Sequence, residues 1–245
     1  SECEILVTLY MECANISKEN QYDSGRDRIV LSKGHGAPML YRCLCEKGFF
    51  PKEEMHTLRQ PGSRLQGHPN MNSVPGVDMS TGSLGQGVSA AAGMALAAKH
   101  QGRKCRIYTL LGDGEIQEGQ PWEAFMFARH YQLDNLCVVI DNNLLQIDGR
   151  VDQVMSPYPI PEKLQSFGFA VEEIDGHDFG QMESAFLKAR TTKGVPSAII
   201  MSTVKGKGIS FMEDQASWHG KAPNDEEYAR AMNELRTRLE KLEAL

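Results

Sequence analysis

The chain has 245 residues, of which 41% are hydrophobic and 24% charged, as is typical of a water-soluble globular domain. The net charge is −6 and the basic residues are spread along the chain, which argues against a nucleic-acid-binding face. No apolar run approaches the ~20 residues of a membrane helix, and no signal-peptide pattern is present. The six cysteines form no C-x-x-C pair and no zinc-ligand pattern, so we expect reduced thiols in a cytoplasmic protein.

Helical and strand patterns alternate along the chain. In chain order they are a helix at residues 5–13, a strand at 29–31, helices at 39–47 and 85–100, a strand at 106–111, a helix at 121–131, strands at 136–140 and 170–174, a helix at 179–190, a strand at 197–203 and an amphipathic helix at 225–245. Thr81 or Ser83 is a possible N-cap for the helix at 85–100. Continuous apolar strands between helices predict an α/β fold in one domain, 1–245, with a parallel sheet covered by helices on both faces. Because the first helical pattern begins almost at once, we expect residues upstream of Ser1.

Polar residues follow two of the predicted strands. Asp113 lies between Gly112 and Gly114 directly after one strand, and Asn143 follows the next. Ligands of parallel-sheet proteins bind at the carboxyl ends of the strands. A diphosphate group requires a hard cation, and Mg²⁺ takes about six oxygen ligands, most of which phosphate and water can supply. Asp113, Asn143 and a backbone carbonyl could supply the others, and the glycines let the backbone approach the ligand closely.

The spacing of these motifs resembles that of thiamine-diphosphate enzymes. Between Gly114 and Asn142 lie 27 residues, and a strand pattern precedes each motif. The resemblance implies that Asp113 and Asn143 are side-chain ligands of Mg²⁺ and that the carbonyl of Leu145 is a third ligand. Ca²⁺ or Mn²⁺ could replace Mg²⁺ at such a site.

Seven segments, which together span essentially the whole chain, resemble transketolases in the order of that family. They are S-K-G-H-G at 32–36, G-H-P at 67–69, S-T-G-S-L-G-Q-G at 80–87, G-D-G-E-I-Q-E-G at 112–119, Q-I-D-G at 146–149, V-K-G-K-G at 204–208 and S-W-H-G at 217–220. The resemblance implies the thiamine-diphosphate-binding fold of the transketolase diphosphate-binding (PP) domain.

Four catalytic residues follow from the resemblance. It implies that His35 lines the diphosphate and substrate channel, that His68 hydrogen-bonds the donor ketose, and that His219 lies near the reacting carbon. Glu118 matches a carboxylate relay that crosses the subunit interface. Some bacterial transketolases carry a further histidine three residues before His219, where this chain has Ala216.

The resemblance also implies a set of cofactor contacts. The backbone of Gly82 and Ser83 would face the aminopyrimidine ring, Leu84 would lie near the thiazolium, and Lys205 would contact the phosphates. The full set is His35, Gly82, Ser83, Leu84, Gly112, Asp113, Gly114, Glu115, Asn143, Lys205 and His219.

Transketolases transfer a two-carbon ketol unit from a ketose phosphate to an aldose, and the resemblance implies this activity. Their cofactor-activating glutamate lies on a pyrimidine-binding domain, which this sequence lacks together with the C-terminal transketolase domain. We therefore expect a two-chain enzyme, an α2β2 heterotetramer, whose second subunit carries those domains and most of the sugar-phosphate contacts.

Three alternatives remain open at the level of sequence. The first two are other thiamine-diphosphate subunits, similar to deoxyxylulose-phosphate synthase or to the α subunit of a 2-oxo acid dehydrogenase, and G-H-P and S-W-H-G favour transketolase over both. The third is a non-catalytic cofactor-binding subunit. A nicotinamide-binding Rossmann domain is disfavoured because no G-x-G-x-x-G follows an early strand.

Overall fold

The computed structural model describes residues 1–244 and centres on a five-stranded sheet in which every neighbouring pair of strands is parallel. The strand order is β1-β2-β3-β7-β6. These strands are β1 (Arg28–Leu31), β2 (Ile107–Gly112), β3 (Leu136–Asn142), β6 (Ala170–Asp175) and β7 (Ser197–Ser202), and β4 (Leu145–Gln146) and β5 (Gly149–Arg150) form a small antiparallel hairpin beyond β3.

Helices connect the strands. They are α1 (Cys3–Val7), which continues as a wider π-helical segment (Thr8–Cys13), α2 (Ala37–Glu46), α3 (Gln86–His100), α4 (Gly119–His130), α5 (Val151–Val154), α6 (Ile160–Ser166), α7 (Phe179–Thr191) and α8 (Asp225–Glu243). Among the described residues, no helix is long and apolar enough to cross a membrane.

The core consists of two apolar layers, one on each face of the sheet. Successive strand residues point to opposite faces, so Leu110 and Val139 pack with the layer of α1, α2 and α7, whereas Leu111 and Val138 pack with that of α3, α4 and α6. Small side chains along α3 let it lie close to β2 and α4. The predicted α/β fold with helices on both faces is confirmed.

Most predicted elements begin and end within two residues of the observed ones, but the predicted cap of α3 is wrong. Its N-cap is Gly85, in the left-handed region at φ 80°, and no side chain caps the helix. The Thr81 hydroxyl instead donates to the carbonyl of Leu31, 2.6 Å away. The loop before α3 is therefore bonded to the end of β1.

Candidate functional site

The ends of β1, β2, β3 and β7 bring most of the predicted site residues to one edge of the sheet. The strand register places Gly112 beside Asp141, and Asp141 beside Met201. The segments that follow these strands therefore lie next to one another. They contain S-K-G-H-G, G-D-G-E, the Asn142-Asn143 pair and V-K-G-K-G.

Asp113 is held by three donors immediately beyond β2. Its Oδ1 accepts from the backbone N–H of Gly114 at 2.9 Å. Its Oδ2 accepts from the N–H of Leu144 at 2.6 Å and from the hydroxyl of Tyr158 at 3.2 Å. The residue is 1% exposed, and this burial raises the pKa of its carboxyl to about 6, against the opposing effect of the Leu144 hydrogen bond.

Asn143 presents a second buried oxygen beside Asp113. Its Oδ1 accepts from the N–H of Leu145 at 3.1 Å, which leaves one lone pair on that oxygen. Leu144, which lies between Asn143 and Leu145 in sequence, has φ 64°, a conformation that a branched side chain rarely adopts. The N–H of this residue is the one that donates to Asp113, and strained backbone of this kind is concentrated at functional sites.

These two oxygens suit a hard cation whose remaining coordination positions are filled by other ligands. Among residues 1–244, no three His, Cys, Asp or Glu side chains are grouped so that they could hold a metal ion by themselves. One carboxylate and one amide oxygen are instead the donor set of a Mg²⁺ site in which phosphate and water supply the remaining ligands.

A buried ion pair that the sequence did not predict lies under the site. The Lys33 ammonium contacts the Asp141 carboxylate and lies 3.0 Å from a carboxylate oxygen of Glu2. Burial alone would raise the pKa of Asp141, but Lys33 outweighs it and holds that pKa well below the ordinary value. Burial alone would lower the pKa of the Lys33 ammonium, but the charges of Asp141 and Glu2 outweigh burial and raise that pKa. Lys33 is part of S-K-G-H-G, but its partner lies 108 residues away in sequence.

Lys205 supplies a second cation at the end of β7. It is partly buried, and it makes no ion pair with any residue that the structure describes. Burial and the neighbouring Lys33 charge lower the pKa of its ammonium. An anionic ligand would relieve that repulsion, which is the property expected of a phosphate-binding lysine.

His177 fixes the segment that carries Lys205. Its Nε2 accepts from the backbone N–H of Val204 at 2.8 Å, and its Nδ1 lies 2.8 Å from a carboxylate oxygen of Glu4. The first contact requires a lone pair on Nε2, so the proton is on Nδ1, where it is donated to Glu4. Nothing in the sequence singles out His177, because neither partner is near it along the chain.

The three histidines predicted to be catalytic lie in the same region of the site. The rings of His35 and His219 are 5.1 Å apart between centroids, and Nδ1 of His219 is buried without a hydrogen-bond partner among the described residues. His68 lies against Gly82, where an added Cβ would be 2.9 Å from its ring. Glycine is required there both by that contact and by φ 151°.

Both imidazoles of this neighbouring, tilted pair resist protonation. The His35 side chain is exposed in part, but its ring is partly withdrawn from water by its neighbours. This loss of hydration, and then the charge of Lys33, lowers the pKa of His35 to about 4. The pKa of His219 is also lowered, by burial and by Lys205. A neutral imidazole accepts a hydrogen bond at one ring nitrogen and donates one from the other.

Glu115 supports the site from beneath instead of facing a ligand with its side chain. The carboxylate is 3% exposed and accepts from the hydroxyl of Ser32 at 2.6 Å, from the N–H of Gly85 at 2.9 Å and from the N–H of Gly112 at 3.1 Å. Burial raises its pKa. The side chain thus joins three segments of the site, and a contact between Glu115 and the cofactor stays a prediction.

The loop from Gly82 to Leu84 lies at the open side of the site. Leu84 is 37% exposed and does not join either core layer. A Cβ added at Gly34 would lie 2.7 Å from the nitrogen of Gly82, which shows how closely the loops approach. Glu118 is exposed just before α4 and makes no capping hydrogen bond.

The sequence comparisons agree with this geometry. Residues 2–241 match the family described as "Transketolase, thiamine diphosphate binding domain". The chain belongs to the transketolase family. It is a thiamine-diphosphate-binding domain of that family, and the strand-end site lies where such a fold binds its ligand.

Two similar relatives of this transketolase-family chain are themselves named as subunits. The chain is 45% identical to the 6-deoxy-6-sulfo-D-fructose transketolase subunit of Clostridium sp., over 96% of this chain and 86% of that protein. It is 40% identical to an apulose-4-phosphate transketolase subunit of Actinobacillus succinogenes, over 96% of this chain and 85% of that protein. Human transketolase is 41% identical, but the chain spans only 35% of it.

Solved structures show the same fold. The transketolase of Campylobacter jejuni superposes with a TM-score of 0.88 and 31% identity, over 94% of this chain and 37% of that one. The chain thus corresponds in fold to one part of that longer polypeptide.

Proposed function

We propose that this chain is the diphosphate-binding subunit of a two-chain transketolase, which transfers a two-carbon ketol unit from a ketose phosphate to an aldose. The proposal rests on one observation: the buried oxygens of Asp113 and Asn143 and the ammonium of Lys205 lie at the same edge of the sheet. That arrangement pairs oxygen ligands for a cation with a positive charge for phosphate.

The residues of this chain fit thiamine diphosphate and Mg²⁺. Asp113, Asn143 and the carbonyl of Leu145 would hold Mg²⁺, and Ca²⁺ or Mn²⁺ could substitute. Lys205 would bind the phosphates. When bound, thiamine diphosphate supplies the nucleophilic carbon and the electron sink that ketol transfer requires.

The histidines would orient the sugar and move protons. His68 would hydrogen-bond the donor ketose. Nδ1 of His219 is buried without a partner among the described residues, so it offers a position for a sugar hydroxyl or a ligand oxygen. The lowered pKa values of His35 and His219 keep both rings neutral near pH 7, the form that can take up a proton from a hydroxyl.

A second subunit would complete the enzyme by carrying the pyrimidine-binding and C-terminal domains, in an α2β2 heterotetramer. Two relatives, of which the chain spans 86% and 85%, are named as subunits, which supports the existence of a second subunit. Glu118 is exposed beside α4 and would join a carboxylate relay across the subunit interface.

The test is to purify the two polypeptides separately and assay ketol transfer before and after mixing. We expect no turnover by this chain alone and activity upon addition of the partner. Full turnover by this chain alone would contradict the two-chain proposal. No thiamine diphosphate binding to the mixture, in the presence of Mg²⁺, would contradict the cofactor assignment.

The donor screen begins with the sugars named for the relatives. Deoxysulfofructose and apulose 4-phosphate differ in their anionic group, and both are to be compared with ordinary ketose phosphates. The match to the transketolase family over residues 2–241 favours ketol transfer over the deoxyxylulose-phosphate synthase and 2-oxo acid dehydrogenase alternatives.

A further inference from the structure

Tyr158 lies between the ends of the two strands that carry the oxygen ligands. Its hydroxyl is 2.7 Å from Oδ1 of Asn142, the last residue of β3, and 3.2 Å from Oδ2 of Asp113, the first residue after β2. Neither contact was predicted from the sequence, because Tyr158 lies 45 residues from Asp113. We propose that Tyr158 is a positioning residue that orients the Asp113 carboxylate for the divalent cation, an inference that rests on the proposed function.

The hydrogen bonds of Asp113 show what the hydroxyl does. Each carboxylate oxygen has about two lone-pair positions. Oδ2 uses both, for the Leu144 N–H and the Tyr158 hydroxyl, whereas Oδ1 uses one, for the Gly114 N–H. The lone pair that remains for a cation is therefore on Oδ1. Without the hydroxyl, a second lone pair would become free on Oδ2, and the carboxylate would no longer present one oxygen only.

The loop that carries Tyr158 is fixed at two points. Nε2 of Gln117, in the segment after Asp113, donates to the carbonyl of Met155 at 2.7 Å. The Lys163 ammonium, on α6, donates to the carbonyl of Pro157 at 2.5 Å. The Tyr158 ring also packs partly against the core layer of α3, α4 and α6. Its hydroxyl is thus held toward the strand ends by groups other than its own two hydrogen bonds.

Asn142 determines how the single hydroxyl proton is used. With its amide oxygen toward Tyr158, Asn142 shares that proton with Asp113. With the amide turned over, its N–H would donate to the Tyr158 oxygen and the proton would go to Asp113 alone. In both arrangements Asp113 receives a hydrogen bond from Tyr158, so removal of Asn142 is expected to leave the action of the hydroxyl on Asp113 in place.

The experiment compares Tyr158→Phe with wild type in the complex of both subunits. Binding of Mn²⁺ is measured by electron paramagnetic resonance in the presence of thiamine diphosphate, and the Mg²⁺ dependence of turnover is measured alongside. Residues that orient a metal ligand typically contribute about 10- to 100-fold to metal affinity, and we expect a loss in that range. The kcat at saturating Mg²⁺ should change less than twofold, because the ligand itself remains.

Tyr228→Phe is the matched control, since Tyr228 is 58% exposed on α8 and far in sequence from the site. It should bind Mn²⁺ as wild type does. Equal melting temperatures for Tyr158→Phe and Tyr228→Phe would show that the loss of Mn²⁺ affinity does not come from a loss of folded protein. Affinity for Mn²⁺ within twofold of wild type in Tyr158→Phe would overturn the proposal.

Asn142→Ala separates the two partners of the hydroxyl. If Tyr158 acts on Asp113, then Asn142→Ala keeps most of the Mn²⁺ affinity, and Tyr158→Phe costs as much in that background as in wild type. If Asn142→Ala alone reproduces the loss and the double variant loses no more, the hydroxyl acts only through Asn142 and the proposal is overturned. Failure of the wild-type complex to bind Mn²⁺ with thiamine diphosphate would instead overturn the proposed function itself.

Discussion

The two halves of the strand-end site are held in place by different kinds of bond. The oxygen half, with Asp113 and Asn143, is fixed mainly by backbone N–H groups from residues adjacent to it in sequence or just beyond the neighbouring strand. The cation half, with Lys33 and Lys205, depends on charged groups and on His177, all distant along the chain. The oxygen half is thus set mainly by backbone groups at the ends of two paired strands, whereas the cation half also requires α1 to pack against the sheet.

The largest effect is expected from Asp141→Asn in the cation half. The change leaves the buried Lys33 ammonium without its main partner, and breaking a buried ion pair in this way costs about 3–5 kcal/mol. Urea unfolding measures the loss in free energy of unfolding. The control is Glu172→Gln, which breaks the exposed pair with Lys188 and should cost about 1 kcal/mol or less. Equal losses in the two variants would show that burial does not matter here.

In the oxygen half, Asp113→Asn should act on ligand binding more than on folding. It removes the charge of the proposed cation ligand. Since the groups around a ligand already contribute about 10- to 100-fold, this change should weaken Mg²⁺-dependent thiamine diphosphate binding by about 100-fold or more. Calorimetry on the two-subunit complex measures this. Asp152→Asn, at an exposed carboxylate, is the control. Unchanged affinity would remove Asp113 from the site.

A smaller loss is expected from His177→Phe, which tests how the cation half is fixed. The ring shape is kept, but the Val204 N–H and the Glu4 carboxylate lose their partner. Only the Val204 hydrogen bond fixes the Lys205 segment directly, and one such bond contributes about 1 kcal/mol. Thiamine diphosphate affinity should therefore fall about fivefold, while the Mn²⁺ signal of the oxygen half keeps its shape. His100→Phe, at the exposed end of α3, should change neither. A loss confined to Mn²⁺ binding would contradict the assignment of His177 to the cation half.

The smallest effect concerns pH. Since the pKa of His35 is about 4 in the folded chain and about 6.5 when unfolded, the unfolded state binds more protons between these values. The free energy of unfolding should therefore fall as pH is lowered from about 6.5 to 4, and His35→Asn should make that decline shallower. Because the ring is exposed, solvent screening keeps the change small. His56→Asn, at an exposed position, should leave the slope unchanged, and an equal change in both variants would argue against a special environment for His35.

Sequence reasoning succeeded where a residue is defined by its position next to a strand. Asp113 and Asn143 follow apolar strands, and parallel strands align their carboxyl ends, so their proximity was predictable. It did not give the direction of the Glu115 side chain, which lies in the same motif but points into the protein, because motif position does not determine side-chain direction. It also missed Tyr158 and His177, whose partners lie 45 and 27 residues away along the chain.

The sequence by itself determined the alternation of strands and helices, the sheet edge at which most of the predicted site residues lie, and the positions of Asp113 and Asn143 just after two strands. These depend on periodicity and on the fixed direction of parallel strands, which are local properties. Only the tertiary structure decided that Lys33 pairs with Asp141, that Glu115 joins three loops, and that Tyr158 reaches Asp113. Those contacts depend on which distant segments pack together, and on burial that makes an unpaired charge or donor too unfavourable to leave unsatisfied.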